Sequence, residues 1–278
     1  MLRWLVVLLA LVAPALAQVD VDHGVVYRRV GERALVLDVY RPRGAAGRPG
    51  VLLLHGGSWD SGDRGQLAGL ARDLAERGFV AATADYRLAT EAPFPAAVAD
   101  ARAAVLWLEA HAARFGLDPA RVGLFGPSAG GHLALMVATL LSRPGQPRAV
   151  AACAAWCAPA DLVRGLTEGG PVPRASLAVV ERFLGGTFDE QAPRFALASP
   201  AQHVSRATPP LFLAHGERDD VVPFSQSLYM QEAAQARGVD VTLVRVRNAG
   251  HDLRTRRADP PVRALWERTV AFLHQRLD

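Results

Sequence analysis

The chain has 278 residues, of which half are apolar, and its formal net charge is +4. This length and composition fit one large α/β domain and exclude a disordered or collagen-like chain. All 31 basic residues are arginines, and they are scattered along the sequence. A nucleic-acid-binding surface is not expected, because such a surface needs a concentrated patch of positive charge.

The first 17 residues have the pattern of a cleavable secretory signal peptide. Arg3 provides a positive n-region, residues 5–12 an apolar h-region, and Ala15-Leu16-Ala17 a small-residue cleavage site. The apolar run is short for an uncleaved anchor across a bilayer. We therefore expect cleavage after Ala17 and a periplasmic or secreted protein with no stable membrane span.

Beyond the leader, strand and helix patterns alternate along residues 18–278. Residues 25–30 and 34–40 predict an antiparallel hairpin around Gly31-Glu32. Further strands are predicted by runs typical of buried strands, at 51–54, 79–84, 122–125, 149–156, 211–214 and 241–246. Helical spacing is present at 66–77, 132–138, 224–237 and 262–277, and a loop with Pro93 and Pro95 starts a long helix through about Arg114. The alternation predicts an α/β fold with a mostly parallel sheet, helices on both faces and ligands at the carboxyl ends of the strands.

Residues 161–206 interrupt this alternation. They combine short helical patterns, such as residues 176–183, with Gly-Gly pairs and prolines. We interpret this segment as a small lid over the site and not as a second domain.

The segment Gly126-Pro127-Ser128-Ala129-Gly130 lies where an apolar run meets a helical run. A serine between two glycines in this setting is typical of a nucleophile elbow, although the short pattern also occurs at ordinary surface turns. Bulky side chains at 126 and 130 would obstruct the turn, where strand and helix approach closely. The pattern predicts that Ser128 is a nucleophile and that the N–H of Ala129 faces a developing oxyanion.

A serine nucleophile needs a base to accept its proton, and the base needs a carboxylate that holds it in one tautomer. His251 follows the last predicted strand, and Asp219 follows the strand before it. Both lie at the sheet edge expected for Ser128, in the chain order serine, acid, histidine. The alternative acids are Asp220, Glu217 and Asp161. Asp161 also follows a predicted strand, and we interpret it as a loop carboxylate that accepts backbone N–H groups.

The loop His55-Gly56-Gly57-Ser58-Trp59 directly follows the predicted strand 51–54. Glycines in such a loop let backbone N–H groups turn inward and complete an oxyanion hole. We predict that Gly57 and Ser58 donate there together with Ala129. His55 and His215, each at a strand end, are interpreted as bracing the loops they begin.

Additional motifs are Asp85-Tyr86-Arg87-Leu88, Pro93-Phe94-Pro95-Ala96, Gly116-Leu117-Asp118-Pro119 and Ala249-Gly250-His251. Together with the elbow and the loop 55–59, they resemble the α/β-hydrolase esterases of the hormone-sensitive-lipase and bifunctional acetylxylan/feruloyl-esterase type, over residues 22–278. The resemblance implies the α/β-hydrolase fold and ester hydrolysis through an acyl-enzyme, with Ser128, His251 and Asp219 as the triad. Two positions depart from the family pattern: Pro127, where an acidic residue is common, and Ser58, where a third glycine is usual.

We therefore expect a secreted serine carboxylesterase that hydrolyses short-chain or polysaccharide-linked acyl esters. Trp59 and Tyr86 are expected to contact the small-molecule or carbohydrate-linked substrate. No cofactor is expected, because water completes the deacylation. The alternatives are an arylformamidase-like amide hydrolase or a small peptidase on the same fold, and a binding protein without catalytic activity.

Cys153 and Cys157 are the two cysteines of the chain. On one extended strand they would lie roughly 13 Å apart, beyond the reach of a disulfide. We predict two buried thiols. A metal site is not expected, because no partner cysteines or spaced histidines accompany them.

Overall fold

The computed structural model describes residues 18–142, 150–168, 174–254 and 258–278. The predicted signal peptide, residues 1–17, lies outside the described residues. The described strands are β1 Val19–Val30, β2 Arg33–Pro42, β3 Arg48–Leu54, β4 Val80–Ala84, β5 Leu117–Pro127, β6 Ala152–Trp156, β7 Leu211–Gly216 and β8 Val241–Val246.

These strands form one sheet in the order β1-β2-β4-β3-β5-β6-β7-β8. Strand β2 pairs antiparallel with β1 and with β4, whereas the remaining pairs are parallel. The structure confirms the predicted hairpin and the mostly parallel sheet. Strands β4, β6 and β7 are buried along their whole length, as strands covered on both faces are.

The described helices are α1 Ala68–Glu76, α2 Ala96–Ala110, α3 Ala112–Phe115, α4 Ala129–Leu140, α5 Leu162–Thr167, α6 Arg174–Leu184, α7 Phe188–Leu197, α8 Ser225–Ala236 and α9 Pro260–Leu277. The helix predicted up to about Arg114 is divided at His111, and Gly116 ends it in the left-handed conformation. The ring of His111 stacks on Trp107 and its Nδ1 lies 2.8 Å from the Trp107 carbonyl oxygen, so a side-chain contact accompanies the break.

Each face of the sheet has its own apolar core. Leu74 of α1 and Trp266 of α9 belong to the cluster on one face, and Val105 of α2 and Leu133 of α4 belong to the cluster on the other. None of the helices in the described ranges has the length and hydrophobicity that a bilayer crossing needs. The two clusters support the sheet from both sides and leave the carboxyl ends of its strands to the loops.

The order in which strands are added to the sheet changes direction at β3. After β3 the chain adds β4 on one side, and it then returns to add β5 on the other. The connections that follow β3 and β5 run to opposite sides of the sheet. Such a switch point opens a crevice above the carboxyl ends of the two strands, where ligands bind in open α/β sheets. The loop 55–59 follows β3, and Ser128 follows β5. The fold thus brings these two predicted segments to one crevice.

Glu109, near the carboxyl end of α2, is partly buried, and in the described part of the chain its Oε1 has no hydrogen-bond partner. Burial raises the pKa of Glu109 to about 7. An acid whose pKa is higher in the folded than in the unfolded protein costs stability as the pH rises between the two values.

We expect Glu109→Gln to raise the melting temperature at pH 8 by roughly 2–6 °C and to change it little at pH 4, where most of the carboxyl is protonated in both states. Thermal unfolding at both pH values measures this difference. Glu76→Gln on α1 is the control for the substitution itself. A wild type that is as stable as Glu109→Gln at pH 8 would contradict the prediction.

Candidate active site

Ser128 lies at the sharp turn between β5 and α4 with φ 53° and ψ −126°, a conformation that is costly for a residue with a side chain. The turn is tight because a Cβ at Gly126 would lie 2.3 Å from the Gly130 carbonyl carbon. A Cβ at Gly130 would lie 2.0 Å from the Leu54 carbonyl oxygen at the end of β3. The two glycines therefore permit the close packing that holds Ser128 in this conformation.

The hydroxyl of Ser128 is directed at a histidine. It makes no capping bond to α4, and its Oγ lies 2.9 Å from His251 Nε2. The backbone N–H of Ser128 donates to the Trp156 carbonyl oxygen at the end of β6, at 2.7 Å. Backbone and side chain of Ser128 are thus both fixed by neighbouring elements.

His251 in turn contacts a buried carboxylate. Its Nδ1 lies 2.8 Å from Asp219 Oδ2, and the Asp219 side chain is fully buried. The loops that carry the two residues are joined by backbone hydrogen bonds from Glu217 N–H to Val246 O and from Arg218 N–H to Ala249 O. The loops after β7 and β8 therefore place the histidine and the carboxylate side by side.

Asp219 is held by several donors. Its Oδ1 accepts from the N–H groups of Val221 and Val222 at 3.0 and 2.8 Å, and His215 Nε2 lies 3.3 Å from its Oδ2. Burial alone would raise the pKa of Asp219, but the hydrogen bonds from His215, His251 and Val222 outweigh it and hold the pKa well below its usual range. Asp219 is therefore anionic beside His251.

The alternative acids that the sequence analysis considered have other contacts or positions. Asp161 caps the N-terminus of α5 and accepts from the N–H groups of Val163 and Arg164, as interpreted from the sequence. Glu217 pairs with Arg245 at 3.4 Å. Asp220 lines the cavity described below. Among these carboxylates, Asp219 is the one bonded to His251.

The loop after β3 turns inward at three consecutive residues with positive φ: Gly57 at 119°, Ser58 at 57° and Trp59 at 59°. The carbonyl oxygen of Gly57 accepts from the N–H groups of Asp60 and Ser61, and a Cβ at Gly57 would lie 2.1 Å from the Ser61 carbonyl oxygen. Only glycine fits there. The loop brings Ser58 to the same two cavities that Ser128 lines.

Trp59 lies at the wall of the larger cavity and is held from behind. Its ring stacks on Phe183 with a 4.4 Å centroid distance, and its Nε1–H donates to His132 Nδ1 at 3.2 Å. The other nitrogen of His132 donates to the Ala198 carbonyl oxygen at 2.7 Å. Burial lowers the pKa of His132 to about 4, so this buried imidazole stays neutral and links the loop, α4 and the segment 161–206.

Tyr86 requires a correction. The sequence predicts that Tyr86 contacts the substrate, but only 1% of this residue is exposed. Its hydroxyl donates to the His55 carbonyl oxygen at 2.8 Å, and its ring stacks on the His55 ring at 4.2 Å. Tyr86 therefore lies behind the loop and braces it. The His55 carbonyl oxygen is the acceptor that its buried hydroxyl needs.

Two cavities meet at Ser128. The larger, about 410 Å³, is lined by apolar side chains of α5 and α6, including Leu162, Leu166 and Val180. The smaller, about 320 Å³, is lined by Trp156, Cys157, His251, Asp252 and Leu253. Helices α5 and α6, both within segment 161–206, thus form one wall of the larger cavity.

A family model described as BD-FAE matches residues 37–234, more than half of the chain. The chain belongs to the BD-FAE family. Esterase LipQ of Mycobacterium tuberculosis (strain ATCC 25618 / H37Rv) is 31% identical over an alignment of 230 residues, and the match covers 80% of this chain and 55% of LipQ. The chain spans about half the length of the curated relatives it matches.

Two solved structures resemble this BD-FAE chain over nearly its whole length. Thermogutta terrifontis esterase 2 phosphonylated by sarin is 29% identical, with a TM-score of 0.76, and the match covers 94% of this chain and 96% of that one. A truncated form of a carbohydrate esterase from gut microbiota has a TM-score of 0.79 at 21% identity and covers 95% and 98%. The second likeness concerns the fold alone. The fold is the α/β-hydrolase fold that the resemblance implied.

Both cysteines of this BD-FAE chain are free and buried, which confirms the prediction. They lie in different core clusters, Cys153 on one face of the sheet and Cys157 on the other. Sequence reasoning did not find that the Cys157 thiol lies beside Asp219. Burial, together with this carboxylate, raises the pKa of Cys157 well above its usual range.

We expect Gly130→Ala to lower the free energy of unfolding by at least about 3 kcal/mol, because the added Cβ would collide with backbone atoms that cannot rotate away. Gly250→Ala is the matched control, since the nearest atoms to its added Cβ lie 3.7 Å away, and it should change the free energy by less than about 1 kcal/mol. Urea unfolding of both variants measures this. Equal losses in the two variants would contradict the account of the elbow.

Proposed function

We propose that this protein is a serine carboxylesterase. The observation that carries the proposal is the hydrogen-bonded series Ser128 Oγ, His251 Nε2, His251 Nδ1 and Asp219 Oδ2, with distances of 2.9 and 2.8 Å at its two contacts. The relative named as an esterase, LipQ, supports it. The nerve-agent adduct of the Thermogutta terrifontis esterase also supports it.

Ser128 acts as the nucleophile. His251 Nε2 takes the proton of the Ser128 hydroxyl as the oxygen attacks the ester carbonyl carbon. The resulting imidazolium is stabilised by the anionic Asp219, which also keeps the proton on Nδ1. His251 then gives the Nε2 proton to the departing alcohol oxygen, and the acyl group remains on Ser128.

Backbone N–H groups stabilise the negative charge on the carbonyl oxygen. We assign this role to Ala129, the first residue of α4, and to Gly57 and Ser58 in the inward-turned loop. The N–H groups of a first helical turn have no partner within the helix, so the N–H of Ala129 is suited to the role. The loss of one such donor costs about 3–4 kcal/mol in the transition state.

Water completes the cycle. It attacks the acyl carbon while His251 accepts its proton, and Ser128 leaves with a proton restored to its oxygen. Apart from the substrate and water, these steps use only side chains and backbone of the chain and require neither a metal nor an organic cofactor.

The two cavities at Ser128 suggest how an ester lies in the site. The alcohol oxygen must face His251, which protonates it, and His251 lines the smaller cavity. We therefore assign the alcohol to the smaller cavity, and the acyl group to the larger, apolar one beside Leu162 and Val180. A structure of the Thermogutta terrifontis relative has butyrate bound, in agreement with a short acyl group. A sugar hydroxyl is a suitable alcohol for the smaller cavity beside Asp252, as in polysaccharide-linked esters.

Export belongs to the same proposal. The leader pattern at residues 1–17, with its cleavage site after Ala17, supports a periplasmic or secreted enzyme. An extracellular ester of a plant or microbial polysaccharide would then be accessible to it.

We expect the wild type to hydrolyse p-nitrophenyl acetate and butyrate, and Ser128→Ala to lose at least about 10⁴-fold in kcat. Asp219→Asn should lose about 10³- to 10⁴-fold, because the amide no longer holds the productive tautomer of His251. Asp220→Asn, which changes the neighbouring carboxylate, is the matched control and should stay within about 10-fold of the wild type.

The same assay should include N-formylkynurenine and short peptides. Faster hydrolysis of either than of the acetyl and butyryl esters would favour the formamidase or peptidase alternative. Equal ester hydrolysis by wild type and Ser128→Ala would reject the proposed function.

The acyl-side assignment predicts that Val180→Trp shortens the accepted acyl chain. The indole would fill part of the larger cavity, so kcat/KM for a butyryl or hexanoyl ester should fall at least about 10-fold relative to the acetyl ester. Val26→Trp, at an exposed position on β1, controls for the added bulk. An unchanged ratio between chain lengths would place the acyl group elsewhere.

A further inference from the structure

Three side chains of different metal-ligating types converge at Asp219, the carboxylate of the proposed triad. Cys157 follows β6, His215 belongs to β7, and Asp219 lies in the loop after β7. One ligand atom from each lies within 4.8 Å of the other two, and all three residues are buried. Cys157 is far from the other two residues along the chain, and the pairing of β6 with β7 brings the three together. A metal site is therefore not expected from the sequence.

The spacing of the group fits a small tetrahedral cation. His215 Nε2 and Asp219 Oδ2 are 3.3 Å apart, which is roughly the separation of a nitrogen and an oxygen that share a Zn²⁺ at about 2.0–2.1 Å. The sulfur of Cys157 would lie roughly 3.5 Å from either atom in such a site.

Two of the three ligands are already oriented by other groups. His215 Nδ1 lies 2.7 Å from Ser227 Oγ, and Asp219 Oδ1 accepts two backbone N–H bonds. Such contacts hold ligands in place, whereas the 2.8 Å contact of His215 Nε2 with the Val222 carbonyl oxygen has to be replaced by the cation. The third ligand, Cys157, lines the smaller cavity beside His251, which offers a route from the substrate side.

We propose that Cys157, His215 and Asp219 bind a thiophilic divalent cation, Zn²⁺ or Cd²⁺, and that the bound cation inhibits the enzyme. The thiolate sulfur, the imidazole nitrogen and the carboxylate oxygen form the three bonds, and water takes the fourth position. One proton is released from the Cys157 thiol. His215 binds through the Nε2 lone pair, so its proton is carried on Nδ1 and donates a hydrogen bond to Ser227 Oγ, and the contact of Nε2 with the Val222 carbonyl oxygen is given up. A thiolate ligand selects Zn²⁺ or Cd²⁺ over hard cations such as Mg²⁺.

Inhibition follows from the shared carboxylate and rests on the proposed function. Asp219 Oδ2 is the atom that His251 Nδ1 contacts. Once that oxygen binds a cation, it no longer stabilises the imidazolium form of His251. The cation therefore inhibits through Asp219 and does not need to contact Ser128.

The test is a Cd²⁺ titration of the wild type, Cys157→Ser and Cys153→Ser. Cys157→Ser keeps a hydroxyl beside Asp219 but removes the thiolate, and Cys153→Ser makes the same change on the opposite face of the sheet. Two properties are measured: the ultraviolet charge-transfer absorption of a Cd²⁺–thiolate bond, and the rate of p-nitrophenyl acetate hydrolysis relative to the metal-free rate of each variant.

We expect the wild type and Cys153→Ser to bind one Cd²⁺ with a charge-transfer band and to be inhibited, with recovery on addition of EDTA. Cys157→Ser should show no band and should need at least about 10-fold more Cd²⁺ for half inhibition. Mg²⁺ should leave all three unaffected. If Cys157→Ser does not fold, Cys157→Ala takes its place.

A charge-transfer band and half-inhibitory concentration in Cys157→Ser equal to those of the wild type would overturn the inference. So would a wild type that gives no band. A wild type that binds Cd²⁺ with a band but hydrolyses no ester would reject the proposed function and leave the cation site standing, so the two failures are distinguishable.

Discussion

The close approach of helix α4 to strand β3 is the constraint on which the rest of the site depends. Gly130 lies so near the Leu54 carbonyl oxygen that a Cβ there would be 2.0 Å away. This contact places the start of α4 directly at the ends of the central strands and forces Ser128 into its positive φ of 53°. The loop 55–59 begins at the residue after Leu54, so one packing contact positions both the serine and the inward-turned loop.

The second requirement is that a buried carboxylate remains charged. Removing a carboxylate from water is costly unless hydrogen bonds replace the water. Asp219 obtains them from two backbone N–H groups in its own turn and from His215 and His251. Cys157 is among the groups packed around Asp219. The arrangement that keeps the carboxylate anionic therefore also assembles the proposed cation site.

Much of this structure could be predicted from local patterns in the sequence. The hairpin, the buried strands and the elbow could be predicted because each is encoded within about ten residues, by alternation, apolar runs or glycine spacing. The contact between His251 and Asp219 could be predicted because both follow adjacent strands. Tyr86 could not be placed, because its orientation behind the loop depends on stacking with His55. The proximity of Cys157 to Asp219 depends on the β6–β7 pairing, which no local pattern encodes.

The central claim is that Ser128 is made nucleophilic by its contact with His251. A fluorophosphonate reacts covalently with such a serine, and mass spectrometry of the digested protein locates the adduct. We predict one adduct per folded chain, on Ser128, formed much more slowly in His251→Ala and absent after unfolding. No adduct on the folded wild type, or one on a different serine, would contradict the account.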